Sequence, residues 1–159
     1  MLSADNTYGI VISQTPVLSA GIGGILERHF PEYIPNYYSC AEEIALAELK
    51  RARLVIADIS DELCYARKRC QNYYSLFSQC DNAHWVFFVP RTILPVAMEF
   101  LRRPGITLLS NQEPVEGVIN AIHHGNMSEG EISQSLMPTG MSKNAPDVHL
   151  SKILTLSER

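Results

Sequence analysis

The sequence predicts an α/β domain in which a parallel β-sheet is covered by helices on both faces. Short apolar runs of strand length alternate with segments of helical periodicity over residues 1–124. The run from Leu54 to Ala57 is apolar without interruption, which is typical of a strand buried on both faces. The segments between strands are long enough for helical crossovers, as parallel pairing requires.

Five strands and five helices are predicted in alternation. The first strand is Gly9 to Ile12, and Pro16 begins the next helix, because a proline in the first helical turn loses no hydrogen bond. Residues 33–38 are predicted as an edge strand, since Pro35 cannot donate to a ladder. The other predicted elements are a helix after Ser39 with Glu42 completing a capping box, the strand at 54–57, a helix at 65–79, a strand at 85–89, a helix at 96–101, a strand at 106–109 and a helix at 114–124. Beyond these elements, a further short helix is predicted at 128–136.

The crossover connections favour one strand order. Right-handed crossovers between five strands favour the flavodoxin-like order 2-1-3-4-5, which makes the first and third strands neighbours. Asp58 ends the third strand, and Ser13 and Gln14 follow the first. Ligands bind at the carboxyl ends of the strands in such sheets, so Asp58 is the first candidate site.

Composition excludes several classes of function. The chain has 159 residues with a net charge of -4 and no dense Lys/Arg cluster, so we expect that it does not bind DNA phosphates directly. No apolar run reaches membrane-spanning length, so we expect no membrane contact and a cytosolic location. The cysteines have no zinc-ligand spacing and are expected to be reduced thiols, which leaves no metal or cofactor predicted; they are Cys40, Cys64, Cys70 and Cys80.

No catalytic motif is visible, and we predict no enzyme. Gly21, Gly23 and Gly24 fall well past the end of the first strand and lack the Lys-Ser/Thr of a phosphate-binding loop. Within a helix they either form a smooth face for a second helix or are merely tolerated. The basic triplet at 67–69 is interpreted as a solvated helix face.

Three segments resemble the receiver domains of LuxR/NarL-type response regulators. IVISQTPVLSAGIGGIL (10–26) resembles their first strand and helix, and LVIADIS (54–60) resembles the strand that bears the phosphoacceptor aspartate, here Asp58. GITLLSNQEPVEGVINAI (105–122) resembles the last strand and helix, and LTLSER (154–159) is similar to the start of a LuxR-type helix-turn-helix domain. The resemblance implies a CheY-like receiver domain at 1–124, a linker at 125–150, and a truncated DNA-binding domain at 151–159. DNA would then be bound by a C-terminal domain that this sequence lacks.

The resemblance also implies that most of the phosphorylation site has been lost. Carried over residue by residue, the acidic pair is Ser13 and Gln14, the switch Thr/Ser is Pro90, the Lys is Ser110, and only Asp58 remains. Magnesium binding requires hard, preferably anionic oxygen ligands, and phosphoryl transfer requires cations on the phosphoryl oxygens. We therefore expect a degenerate receiver outside the phosphorelay. The alternative role for Asp58 is structural, as a carboxylate that accepts backbone hydrogen bonds.

The losses resemble, more loosely, those of Rcs-type regulators. This implies a module that dimerises, with a second copy or with another LuxR-type regulator, and so pairs two DNA-binding domains. The candidate dimer surface is the first helix together with the last, at Gly21, Gly23, Gly24, Val118 and Ile122. A competing surface consists of the fourth helix, fifth strand and fifth helix, with Met98, Leu101 and Arg102.

Two other functions remain open. One is phosphotransfer through Asp58 despite its poor surroundings. The other is a small-molecule sensor whose ligand occupies the neutralised pocket formed by Ser13, Gln14, Asp58, Pro90 and Ser110.

Overall fold

A five-stranded parallel sheet organises the part of the chain that the computed structural model describes, residues 7–80, 82–125 and 132. Its strand order, β2-β1-β3-β4-β5, confirms the predicted flavodoxin-like topology. The strands are β1 (Thr7–Ile12), β2 (Tyr33–Tyr38), β3 (Ala52–Asp58), β4 (His84–Val89) and β5 (Ile106–Ser110).

Helices cover both faces of this sheet. The helices are α1 (Pro16–His29), α2 (Leu46–Arg51), α3 (Leu63–Leu76), α4 (Leu94–Leu101) and α5 (Val115–His124), with 3-10 turns at Ala41–Glu43, Phe77–Gln79 and Arg91–Ile93. Side chains of α1 and α5 share one core cluster with the sheet, and those of α2, α3 and α4 share the other. No helix of the described residues has the length and apolar character needed to cross a bilayer.

Strand β4 is central to both clusters. All six of its residues are buried, as expected for a strand with helices on both faces. Val86 and Phe88 point into the cluster with α1 and α5, whereas Trp85 and Phe87 point into the other, because successive side chains of a strand alternate between faces. The Trp85 and Phe87 rings stack at 5.6 Å, and Tyr73 of α3 meets Phe87 edge-on at 5.1 Å. Burying each such ring stabilises the fold by roughly 2–3 kcal/mol.

The predicted capping box at Ser39 and Glu42 is wrong. A 3-10 turn forms first, and α2 begins only after Ala45, because Ile44 is extended at φ -91° and ψ 126°. The Ser39 N–H donates to the Glu43 carboxylate at 3.0 Å, so the neighbouring glutamate takes the contact expected of Glu42.

The outer edge of β5 is contacted by a residue from the predicted linker. Ile132 forms a parallel bridge with Leu108 and is partly buried against the core. Ile132 is therefore paired as in a β-strand, and the helix predicted at 128–136 is wrong at this residue. The rest of the predicted linker beyond Gly125 and the predicted helix-turn-helix start at 151–159 lie outside the described residues.

Candidate functional site

Asp58 lies at the carboxyl edge of the sheet, next to Ser13. The Ser13 hydroxyl lies 3.2 Å from Asp58 Oδ2 and donates to it, and the same hydroxyl oxygen accepts the Thr15 N–H at 3.0 Å. The two residues meet because β1 and β3 are paired, with Ile12 opposite Ala57. The strand order therefore brings together the two positions that the sequence predicted as neighbours.

The surroundings of Asp58 disfavour its charged form. Burial raises the pKa of the Asp58 carboxyl, the Ser13 hydrogen bond lowers it, and the charge of Asp61 raises it further, with a net rise. No cation contacts Asp58 among the described ion pairs and hydrogen bonds. The predicted alternative, a carboxylate held by backbone N–H groups, is not what the described residues provide, since the donor is the Ser13 side chain.

A small polar pocket opens beside Asp58. Its volume is about 80 Å³, room for a few water molecules. The pocket brings two carboxylates, Asp58 and Asp61, and the guanidinium of Arg69 to one place. It is lined by Ile12, Gln14, Ser39, Cys40, Asp58, Ser60, Asp61, Arg69 and Tyr73.

Asp61 and Arg69 are functional candidates that the sequence analysis missed. Two nitrogens of Arg69 lie 3.2 and 3.4 Å from the Asp61 carboxylate, and about three quarters of each side chain is buried. Arg69 therefore is not part of a solvated face as predicted, whereas Arg67 is exposed and pairs with Glu99 at 2.8 Å. A signal was present, because Arg69 follows Ala66 at the three-residue spacing that places both on one face of α3.

Three predicted pocket residues do not line this pocket, namely Ser13, Pro90 and Ser110. Ser110 ends β5, and its hydroxyl oxygen accepts the Gln112 N–H at 3.0 Å, so it closes its own turn. Pro90 immediately precedes the 3-10 turn Arg91–Ile93 that follows β4. Among the described residues, no three His, Cys, Asp or Glu side chains are placed to hold a metal ion.

The glycines of α1 differ in their surroundings. A Cβ at Gly21 or Gly24 would meet no atom within 4 Å, whereas a Cβ at Gly23 would lie 2.5 Å from the Tyr37 hydroxyl. Gly23 and Gly24 line an open groove of about 710 Å³ between α1 and β2.

The other residues predicted for dimer surfaces are mostly core residues. Val118 and Ile122 are each 4% exposed and pack between α5 and the sheet, so their side chains are not available to a partner. Of the residues predicted for the α1–α5 dimer surface, only the three glycines of α1 remain candidates for contact with a partner. On the competing surface, Met98 and Leu101 are also buried, and Arg102 is partly exposed.

Known proteins resemble this chain in sequence and in fold. No protein-family model matches it. The uncharacterized protein YjjQ of Escherichia coli O157:H7 is 42% identical over 151 residues, which make up 95% of this chain and 63% of that protein. The chain therefore spans less than two thirds of this relative's length.

Several solved structures share the fold at low sequence identity. A LuxR family DNA-binding response regulator from Silicibacter pomeroyi superposes with a TM-score of 0.61 at 14% identity, covering 82% of this chain and 99% of the other. The isolated REC domain of RcsB from Salmonella enterica serovar Typhimurium, solved with the phosphomimetic BeF3-, gives 0.61 at 13% identity, covering 82% and 96%. RcsB dimers bound to DNA give 0.56 at 12% identity, covering 97% of this chain and 78% of that one. The chain therefore has the fold of a response-regulator receiver domain.

Proposed function

We propose that this chain is the regulatory, dimerising receiver-like module of a bacterial LuxR-type transcription regulator, and that it works without phosphorylation of Asp58. The observation that carries the proposal is that no cation of the described residues contacts Asp58, whose hydrogen-bond partner is the Ser13 hydroxyl. A phosphoryl group on Asp58 would need a cation, yet the nearby guanidinium of Arg69 is paired with Asp61 and Ser110 bonds its own loop. The module is not an enzyme in this proposal.

Dimerisation is supported by the behaviour of a protein with the same fold. RcsB has been solved as dimers bound to DNA. A receiver that pairs two DNA-binding domains raises their effective concentration at adjacent half-sites, so affinity rises without any new DNA contact. The partner is a second copy of this chain or another LuxR-type regulator in the cytoplasm, and DNA is contacted by a domain outside the present sequence.

The small-molecule sensor has weaker support. The pocket beside Asp58 has about 80 Å³, well below the roughly 300–1,000 Å³ typical of ligand pockets. Three of the five residues that this hypothesis placed around the ligand are not among its lining residues, namely Ser13, Pro90 and Ser110.

The test is the solution mass measured by light scattering over a concentration series. It is measured alone, with Mg²⁺, and with Mg²⁺ plus beryllofluoride, for the wild type and for Asp58→Asn. We expect a concentration-dependent dimer whose dissociation constant changes less than twofold between all conditions and both proteins. A monomer that dimerises only with Mg²⁺ and beryllofluoride, and only when Asp58 is present, would show that the site still receives a phosphoryl group.

A further inference from the structure

We propose that the groove between α1 and β2 is a docking site for an arginine-bearing peptide segment of a partner protein. This site lies on the outer edge of the sheet and is distinct from the pocket beside Asp58. The proposal does not rest on the proposed function, because it concerns the docking of a peptide segment and not dimerisation.

Aromatic and proline side chains form one wall of the groove. Tyr33, Pro35 and Tyr37 alternate along β2, so all three point to the α1 side of the sheet, and Pro31 extends this wall. The volume of about 710 Å³ lies within the usual range for binding sites. The groove is therefore large enough for several residues of an extended peptide.

Two glycines of α1, Gly23 and Gly24, lie in the opposite wall of the groove, where they place no side chain. A Cβ at Gly24 would meet no atom within 4 Å, whereas a Cβ at Gly23 would displace the Tyr37 hydroxyl. Each glycine within a helix costs about 1 kcal/mol relative to alanine. The helix therefore carries a stability cost on the face that lines the groove.

The outer edge of β2, which no other described strand covers, presents mainly hydrogen-bond acceptors. Backbone groups of residues 32 and 38 bond to β1, through Thr7 N–H to Glu32 O and Ser13 N–H to Tyr38 O. By alternation, residues 33, 35 and 37 turn their backbone groups outward. Pro35 has no N–H and the Tyr33 N–H donates to Phe30 O, so three outward carbonyls accompany a single outward N–H.

This edge is poorly suited to strand addition. An added strand needs alternating donors and acceptors along the edge, and a proline in the middle interrupts them. The surplus of carbonyl oxygens instead favours a partner that is rich in donors.

Charge and ring chemistry identify that donor as a guanidinium. Among the described residues that line the groove, Glu27 is the single charged one, and no described ion pair uses it. Arginine offers five N–H donors, a positive charge and a planar face that stacks on tyrosine. Its charge and donors match the carboxylate and carbonyls, and its face matches the rings of Tyr33 and Tyr37.

The domain already uses this kind of contact elsewhere. Arginine guanidinium groups lie 4.5 to 5.3 Å from ring centroids in three pairs, which are Arg51 with Tyr8, Arg67 with Phe100 and Arg103 with Tyr74. Among the described residues, neither Tyr33 nor Tyr37 has such a cation. Tyr37, about half of whose surface is exposed, therefore presents an aromatic face that a cation from outside the described residues can cover, whereas Tyr33 is partly buried against the core and lies within reach of the Arg53 charge.

The experiment measures binding of a fluorescein-labelled nine-residue peptide with arginine at alternate positions and serine between them. Fluorescence anisotropy is followed for this peptide and for matched peptides in which lysine or citrulline replaces arginine. We expect the arginine peptide to bind with a Kd on the order of 10–100 μM. The citrulline peptide, which keeps the shape and loses the charge, should bind at least tenfold more weakly, and the lysine peptide should lie between.

Two glycine variants locate the site on the protein. Gly24→Leu fills the groove and should weaken binding of the arginine peptide at least tenfold, whereas Gly21→Leu adds the same side chain on α1 outside the groove lining and should leave it unchanged. Both variants keep the net charge, so they separate docking from general attraction to an acidic protein. Glu27→Gln should weaken binding several-fold. Circular dichroism melting confirms that all three variants are folded.

Three outcomes would overturn the proposal. These are equal affinity for the citrulline and arginine peptides, equal weakening by Gly21→Leu and Gly24→Leu, or no binding below 1 mM. If Gly24→Leu instead abolishes a dimer seen by light scattering and the peptide competes with dimerisation, the groove belongs to a second copy and the peptide proposal fails. Loss of dimerisation by Gly21→Leu alone would leave the groove proposal intact, as would a monomeric wild type.

Discussion

His84 is buried at the start of β4, with 2% of its surface exposed. Its Nε2 lies 3.0 Å from the Thr107 hydroxyl, and Nδ1 has no hydrogen-bond partner among the described residues. Burial lowers the pKa of this imidazole to about 4, because the charged form would be poorly solvated. The folded protein therefore holds His84 neutral, while the unfolded chain takes up a proton near pH 6.5.

We predict that His84 makes the fold sensitive to acid. Between about pH 6.5 and 4 the unfolded state binds more protons, so the free energy of unfolding falls as pH falls, by about 3 kcal/mol from this group. Urea unfolding at several pH values should show a shallower dependence in His84→Gln than in the wild type. Because the carboxylates titrate in both proteins, their contribution to the pH dependence of the free energy of unfolding cancels in this comparison. Parallel curves for the two proteins over this window would contradict the buried neutral state.

Substitutions at Asp58 and Asp61 should affect stability in opposite directions. The folded-state pKa of Asp58 is raised, so its charge lowers stability at pH 7, and this loss is relieved as pH falls through that pKa. Asp58→Asn keeps an acceptor for the Ser13 hydroxyl and should leave the unfolding midpoint equal or higher. Asp61→Asn breaks the pair with Arg69 and should lower the free energy of unfolding by about 1 kcal/mol. Urea titration at pH 7 measures both, and a destabilised Asp58→Asn protein would mean that the carboxylate is held by favourable contacts.

The sequence located Asp58 and its contact with the position of Ser13, because strand ends and strand order determine which residues share an edge. It did not locate the Asp61–Arg69 pair. That pair depends on how the loop bearing Asp61 and the side chain of Arg69 in α3 are placed relative to each other, and local periodicity does not encode the distance between their charged groups.

At the scale of elements, the strands were predictable and the short turns were not. Strand β2 was predicted with its observed bounds, because turn-forming residues flank it and Pro35 marks an edge. The 3-10 turn at Ala41–Glu43 was missed, since Ser39 and Glu42 form the same pattern as a capping box. The extended backbone of Ile44, which ends that turn, is adopted where the residue packs against the core.

The glycines of α1 give a prediction about this helix as an element. Gly21→Ala and Gly24→Ala place a methyl group in open space, so each should raise the free energy of unfolding by about 1 kcal/mol. Gly23→Ala gains the same helix propensity but displaces Tyr37, so its gain should be smaller or reversed. Chemical denaturation of the three variants checks the order. Equal gains at all three positions would show that Tyr37 moves away without cost.

At the scale of the whole molecule, the two edges of the sheet differ in how they are protected. An open edge is a template for association with other strands. The β2 edge has Pro35 in its middle, while the β5 edge is contacted at Leu108 by Ile132 of the same chain. A partner that used the β5 side would have to accommodate or displace Ile132. This favours the part of the α1 side outside the groove, at Gly21, for the proposed dimer.

Ile132→Ser tests this arrangement. The substitution removes apolar contacts from a partly buried side chain, so the free energy of unfolding should fall by about 1 kcal/mol. If the dimer forms through α1, its dissociation constant in light scattering should stay within twofold of the wild-type value. If it forms through β5 and its flanking helices, a weakened Ile132 contact leaves that side more accessible and dimerisation should become tighter. Tighter association in Ile132→Ser, together with an unchanged dimer in Gly21→Leu, would therefore place the interface at β5 and exclude the α1 surface.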